Sequence, residues 1–565
     1  MKPADEERFA ALVQWNRAQG GFLHPQVEVY SDQRTGFSLR AREEAASTPC
    51  CAPRSALDQN RDQKKDQKQD PTISISPPVA TPGNSTPVPE PSPPPQPVPH
   101  GDAIVVCPLS TTLSFLNAVV GGNPLGQPGA SPEPGSDDAA FPEAFVRATP
   151  PHVVGRCFLI QQYLLGRASH WHPYIATLPQ PEHLASWALP AFWPDDDAAF
   201  LAGTNAAVAA AEMRANAASE ARQARRALAA AGYASHAEYT SLRYRWAYCI
   251  FTSRSFRPSL VVPATLWEAG LKDRAGCEMD DFSVLMPLFD VGNHDPLAEV
   301  AWDANSVPGQ CRLVVSGDGA FEPGRQLFNN YGPKTNSELL VAYNFVLPAT
   351  EAVHNDYVHL RLRSGAAPPG QTVRGDSDGG ECDNDNAKQT PRDFLISLRP
   401  MAHPSSVVGR KRQFAHNGPG PRPVVGSAFS HVEDALLWEL CAPHLRNSPQ
   451  VAAGESSPAG TLAAVFAEPA PPELEALVSG ARELLIGKLG ADYERLLGEE
   501  PDEATAVREA LAEAGGQATV AAPLTGNQAL ALAYRLQCEQ VLKSALTSLD
   551  PTIRFEAMDE EQEGD

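Results

Sequence analysis

The chain has 565 residues, 42% of them hydrophobic, enough for two or three ordinary domains with a sizeable core, which excludes a wholly disordered protein. Its formal net charge of −23 argues against a nucleic-acid groove, which needs a basic footprint, and is compatible with basic substrate segments. Ten scattered cysteines with no CxxC pair read as reduced core thiols rather than a zinc site. The N-terminus is charged and no uninterrupted apolar run approaches a membrane span, so we expect a soluble cytoplasmic or nuclear protein without membrane association.

An ordered start is predicted over 7–41. Phe9, Leu12, Val13 and Trp15 fall at helical spacing, GGFLHPQVEVY reads as a loop into a strand, and TGFSLRA as a turn and strand. From about 46 to 101 the composition collapses into Gln, Asp, Lys, Ser and Pro, with twelve prolines between Pro71 and Pro99, predicting a disordered or polyproline-like insertion. GDAIVVCPLSTTLSFLNAVV then predicts a strand and a helix, before a Gly/Pro/Ser-rich stretch at about 121–140. Residues 152–167 are apolar and helical, a long alanine-rich helix is expected over about 195–232, and another runs from about His236 to SRSF. After Ser283 short strands and tight turns are predicted through Val346, with RLVVSG as one strand. Irregular insertions are expected at about 364–391 and 402–426, the second containing Arg410, Lys411 and Arg412. The C-terminal third reads as helical, with one stripe of Leu474, Leu477, Val478, Ala481, Leu484 and Leu485 and another of Leu530, Tyr534, Cys538, Val541, Leu542 and Ala545, ahead of an acidic tail.

Two segments stand apart: PLFDVGNHDP at 287–296 and LFNNYGPKTNSELLVAYNFVLP at 327–348. A half-buried strand alternates apolar and polar residues, whereas Asp290, Asn293, His294, Asn330 and Tyr331 set polar atoms beside apolar runs. Buried polar groups need partners, so such a cluster predicts either a site or a satisfied turn network.

With GGFLHPQVEV, TGFSLRA, FLIQQYLLGRASHWHPYIATLPQP and RWAYCIFTSRSF ahead of them, and a weaker echo at ALAYRLQCEQVLKSAL, these segments resemble the Rubisco large-subunit lysine methyltransferase group of SET-domain protein methyltransferases. The resemblance implies an α+β chain: a SET fold of short β-sheets and turns, split by a helical insert and followed by an all-α C-terminal substrate-binding domain. It divides the chain into an N-terminal SET part at 1–45, the Pro-rich insertion at 46–101, SET domain with a loop insertion at 102–150, and the helical insert at 151–252. The C-terminal SET part with the transfer site follows at 253–348, then the helical domain at 349–550 and the acidic tail at 551–565.

The same resemblance implies the site. Gly36, Phe37, Ser38 and Leu39 would form the turn that lets backbone approach the amino-acid end of S-adenosylmethionine, with Ser38 standing where the pattern has a second glycine. Ser253 and Arg254 would lie beside the cofactor, where an arginine fork suits a carboxylate. Asn293 and His294 would hold the adenine and amino ends, Asp290 would brace their turn, and Phe345 would pack on the adenine, with Asn344 replacing a usual glycine. Tyr331 is the catalytic candidate and a cofactor contact. Read singly, Gly36 is an ordinary turn residue, Arg254 a helix C-terminal cation, Tyr331 a turn tyrosine and Phe345 a core residue. His170 and His172 lack a third metal ligand, so no metal is expected.

The implied reaction is methyl transfer from S-adenosylmethionine to a lysine side-chain amine in a non-histone protein, with a ribosomal or translation protein as one candidate substrate and a monomer as the expected state. Displacement at a sulfonium methyl needs an aligned, uncharged amine, and a desolvated lysine beside a cationic sulfur loses its proton readily. A histidine acceptor, and a catalytically degenerate SET fold used as a binding module, remain alternatives. No GxSxG elbow and no glycine-rich turn after a strand favours a hydrolase or a Rossmann-type enzyme.

Overall fold

The computed structural model describes residues 2–32, 36–43, 101–120, 124–125, 141–317, 322–362, 392–415, 424–445, 457–513 and 524–555. Nearly all of the stretch expected to be Pro-rich at 46–101, most of the 121–140 loop, the 364–391 insertion and the tail from 556 lie outside them.

Helix α1 (Pro3–Ala18) starts on a proline, whose missing N–H falls where a helix has no partner for it, and it buries Phe9 and Leu12. Strands β1 (Phe22–Leu23), β2 (Val27–Asp32), β3 (Gly36–Ala41), β4 (Ala103–Pro108) and β5 (Leu113–Ser114) follow. The helical insert contains α2 (Pro151–Leu165), α3 (Asn205–Ala230) and α4 (Ser241–Arg254). Beyond it come β6 (Ser255–Phe256), β7 (Val284–Leu285), β8 (Val300–Asp303), β9 (Gln310–Val315), β10 (Gln326–Leu327) and α5 (Asn336–Tyr343). The strands make three antiparallel sheets, in the orders β1-β4-β9-β8, β10-β3-β2 and β5-β7-β6. The last of these bridges the insert: Leu285 pairs with Leu113 before it and with Ser255 after it, so β7 holds together the strands on either side of a long excursion.

The insert's long helix is shorter than its composition predicts. A separate turn of helix covers Asp195–Ala199, the chain breaks at Gly203 (φ +77°), and the Thr204 side chain caps α3 by accepting from Ala207 N. A Cβ on Gly203 would stand 2.9 Å from the Arg495 carbonyl oxygen, so the break is also where the insert meets the C-terminal helices closely. Ala206, Ala210, Ala217, Ala224 and Leu228 form the buried face of α3, a narrow stripe that small side chains let neighbouring helices approach.

The region from 349 is not all-helical. Strands β11 (Tyr357–Leu362) and β12 (Arg392–Ser397) pair antiparallel from Tyr357↔Ser397 to Leu362↔Arg392. Short β-branched and aromatic runs such as YVHLRL and DFLIS carry that preference, against the helical pattern around them. Helices α6 (Asp434–Leu445), α7 (Glu475–Gly498) and α8 (Gly526–Leu549) complete the second lobe. Part of the irregular stretch expected over 402–426 is ordered: Val407–Arg412 is helical, and Val408 and Phe414 are buried. On α7 the predicted stripe holds for Val478, Ala481 and Leu485, but Leu484 is 48% exposed.

Among the described residues the two largest hydrophobic cores lie one under the three sheets and the insert, and one joining the C-terminal helices to Trp193, Phe200, Leu201 and Ala206 of the insert. Polar clasps reinforce the second. Asp197 accepts from Thr525 Oγ1 at 2.8 Å and Asn527 Nδ2 at 2.9 Å at the start of α8. The buried Arg535 guanidinium donates to the Ala202 and Leu496 carbonyls and pairs with Glu500 at 3.4 Å.

Candidate active site

The two polar segments singled out in the sequence lie side by side. A parallel bridge joins His294 to Asn329, Asn329 N donates to Asn293 O at 2.7 Å, and Asp295 N donates to Asn329 O at 3.0 Å. This crossing sets Tyr331 directly on the first segment. Its N–H donates to His294 Nδ1 at 3.1 Å, its hydroxyl donates to the Gly292 carbonyl at 2.8 Å, and its ring stacks on His294 with centroids 4.9 Å apart at 14°. Burial pushes the Tyr331 hydroxyl up to about 12, with Arg254 lowering and Asp290 raising it, so it is a fixed phenol rather than a base.

Since His294 Nδ1 accepts a hydrogen bond, its neutral ring carries the proton on Nε2, and burial pulls its pKa down to about 4. Among the described residues, that Nε2–H is buried without a hydrogen-bond partner, and so is Asp290 Oδ1. Phe345 lies 6.4 Å from the His294 ring and 6.4 Å from Tyr343, and Tyr343 lies 4.9 Å from Tyr331, so four rings gather here.

Of the residues from 36 to 39, Ser38 reaches the same place through β3, the middle strand of its sheet. Gly36 has φ +71° and open space where a Cβ would stand. Ser38 is fully buried, and its hydroxyl accepts from Asn293 N at 3.3 Å and Gln326 Nε2 at 2.8 Å. Serine in place of glycine therefore ties β3 to the first segment and to the start of β10. Phe37 turns away to pack on Phe9, with centroids 4.7 Å apart, and Leu39 is a core side chain, so these two can serve a ligand only through backbone.

At the end of α4, Arg254 Nη1 donates to the Asp290 carbonyl at 3.2 Å and lies 3.4 Å from its carboxylate. Ser253 points elsewhere, its hydroxyl donating to Cys249 O one turn back. Asn344 has φ +64°, the left-handed conformation that glycine adopts freely and that asparagine tolerates better than other residues, which explains why this exchange is accommodated. Two residues escaped the sequence reading. Tyr174, inside the quoted PYIATLPQP, donates to Asp290 Oδ2 at 2.8 Å, and Tyr343 stands beside Tyr331. A tyrosine amid a helical apolar run carries no local signal of either role. Among the described residues no group of three His, Cys, Asp or Glu could hold a metal ion.

Crossed segments closing on a tyrosine, a glycine-turn strand beside them and an insert between short sheets define the SET-domain fold. No family model matches the chain. The SET domain of LSMT bound to methyllysine and AdoHcy superimposes with a TM-score of 0.51 at 13% identity, over 98% of this chain and 92% of that one. Rubisco LSMT bound to AdoMet gives 0.51 at 12% identity, over 98% and 92%. The chain thus has the SET fold in the arrangement of the Rubisco large-subunit methyltransferase structures.

Among curated proteins it is similar to ribosomal lysine N-methyltransferase set10 of Schizosaccharomyces pombe, 31% identical over 218 residues, which is 37% of this chain and 35% of that protein. It is also similar to protein-lysine N-methyltransferase EFM1 of Saccharomyces cerevisiae, 33% identical over 104 residues, 18% of this chain and 16% of that one. The matched stretches therefore span about a third or less of these relatives.

Proposed function

We propose that this chain is an S-adenosylmethionine-dependent methyltransferase that acts on the side-chain amine of a lysine in a non-histone protein, with a ribosomal or translation protein as the favoured substrate class. The observation that carries the reading is Tyr331 locked at the crossing, hydroxyl on Gly292 O and N–H on His294. The orphan His294 Nε2–H and the open turn at Gly36 fit a polar, purine-bearing amino acid such as this cofactor. Support also comes from relatives that are named ribosomal lysine and protein-lysine methyltransferases. The free cysteines Cys107, Cys157, Cys249, Cys277, Cys311, Cys441 and Cys538 suit a reducing compartment, so we place it in the cytoplasm or nucleus.

When bound, the cofactor supplies a sulfonium methyl whose carbon–sulfur bond breaks as the lysine nitrogen–carbon bond forms. The chain's part is positioning. Tyr331 keeps its proton and holds its oxygen rigidly, so a lone pair can accept from the amine N–H and aim the nitrogen lone pair at the methyl. Arg254 adds positive potential that favours the neutral amine, whose lost proton passes to solvent. The ring faces of Tyr331, Tyr343 and Phe345 suit the cationic lysine on its way in and the methylated product on its way out.

The test is calorimetric titration with S-adenosylmethionine, followed by tritiated-methyl labelling of an extract from cells lacking the chain, with wild type, Tyr331→Phe and Asn293→Ala compared. Labelled protein with wild type alone, and methyllysine on mass spectrometry, is the expected result. Methylhistidine would move the acceptor, and cofactor binding without any labelling would leave a binding module.

A further inference from the structure

The turn that carries Gly292, Asn293 and His294 is gripped from three directions. Tyr331 takes the Gly292 carbonyl, Arg254 takes the Asp290 carbonyl and approaches its carboxylate, and Tyr174 of the insert takes Asp290 Oδ2 at 2.8 Å. Tyr174 lies 116 residues from Asp290 in sequence and is 1% exposed. A phenylalanine would fill the same apolar space, so packing alone does not call for the hydroxyl. The carboxylate it meets has little else: Oδ1 has no hydrogen-bond partner among the described residues, and the Arg254 contact to Oδ2 is long at 3.4 Å.

We propose that Tyr174 is a positioning residue of the transfer site, and that its hydroxyl fixes the Asp290 carboxylate against Arg254 and thereby holds the turn on which Tyr331 closes. The inference rests on the methyltransferase reading above. Arg254 is the more exposed partner, its side chain 26% exposed against 1% for Asp290, and its contact to the carboxylate is the one that weakens once the Asp290 charge is lost. Burial raises the Asp290 pKa, and the hydrogen bonds and charge from Arg254 and Tyr174 oppose that rise. The other titratable groups facing it are Tyr331 and the buried Cys107 thiol of β4, both neutral because burial raises them. On β3, Arg40 is engaged with Glu28 at 2.8 Å.

Removing the Tyr174 hydroxyl takes away a donor to the charged form, so the Asp290 pKa rises further and the carboxylate is neutralised at a higher pH. Cofactor affinity and turnover are measured from pH 5.5 to 9 for wild type, Tyr174→Phe, Asp290→Asn and the double variant, with Tyr163→Phe as a control in the same insert. In Tyr174→Phe the acid limb moves up by about one pH unit, a tenfold change in proton concentration, while values near pH 9 stay close to wild type. Asp290→Asn is weak across the whole range, and the double variant matches it. Tyr163→Phe follows wild type. A Tyr174→Phe loss that is equal at every pH, or that adds to Asp290→Asn, makes Tyr174 a structural residue and overturns the inference. Wild-type protein that binds no cofactor at any pH overturns the methyltransferase reading itself, and the inference with it.

Discussion

The Tyr331 hydroxyl donates to the Gly292 carbonyl oxygen at 2.8 Å across 39 residues of sequence, while the same residue's N–H holds His294 Nδ1. One residue, through its backbone N–H and its side-chain hydroxyl, thus spans the whole Gly292–His294 stretch. Tyr331→Phe keeps the stacking on His294 and Tyr343 and removes only the hydroxyl. Gly292 O loses its donor, at a cost of about 1 kcal/mol in stability. An amine no longer aligned loses much more, so methyl transfer should fall about 100-fold or further. Cofactor affinity should change little. Chemical denaturation, cofactor titration and initial rates on one preparation check all three, and full turnover in the variant would remove Tyr331 from the chemistry.

Ser38 makes a different case, because the resemblance led to glycine there. Its hydroxyl accepts from Asn293 N and Gln326 Nε2 in a fully buried position. Ser38→Ala leaves both donors without that acceptor and should cost about 1–2 kcal/mol while weakening cofactor binding. Ser38→Gly should be worse than alanine by about 0.5–1 kcal/mol, since glycine in a strand gives up backbone freedom. Urea midpoints of the two variants decide this. A glycine variant as stable as wild type would mean the serine hydroxyl does nothing for the fold.

The sequence pattern carried the strands and helices that have clear periodicity, and it carried the crossing segments because Asn293, His294 and Tyr331 interrupt apolar runs. It did not carry α5, although Thr335 and Glu338 form a capping box that is visible as T-x-x-E. Polar residues of the site motif masked that start signal. The β11–β12 ladder was hidden for another reason: its partners are separated by a long intervening stretch, and pairing is a long-range event that local propensity does not register. Ser253 and Phe37 show the same limit within the site, since spacing places a residue near a ligand but not the direction of its side chain.

Asn344 holds a left-handed backbone at the end of α5, between Tyr343 and Phe345, and its Oδ1 is buried without a partner among the described residues. Glycine suits that conformation better and removes the orphan acceptor. Asn344→Gly should therefore raise stability, by about 1 kcal/mol, with methyl transfer unchanged. Asn344→Val should lower it by about 1–2 kcal/mol, because a β-branched side chain strains a positive φ. Opposite shifts in melting temperature are the expected pattern. A loss of methyl transfer in a stable glycine variant would instead give the carboxamide a role toward substrate.

A buried carboxylate at the lobe junction makes stability depend on pH. Asp356 is 2% exposed, accepts from Asn336 Nδ2 at 3.4 Å and has no partner on Oδ2 among the described residues, while Asn336 also reaches Gln537 of α8 at 3.0 Å. Burial pushes its pKa up to about 6, opposed in part by Asn336, against an ordinary value of 3.8. The folded chain therefore binds this proton more tightly than the unfolded chain does. Its contribution is complete below the unfolded value and is lost as pH rises through about 6. His354, held down to about 4, has the opposite slope, and Glu433, raised to about 7, the same one, so the wild-type curve alone is not diagnostic. The difference between Asp356→Asn and wild type isolates the group. It should shift in favour of the variant by about 2.5 kcal/mol between pH 4 and pH 8, most of what a pKa displaced by about two units carries in full. Urea unfolding at both pH values measures it. A pH-independent difference would mean that Asp356 is charged or solvated alike in both states, and that the junction does not sense pH through it.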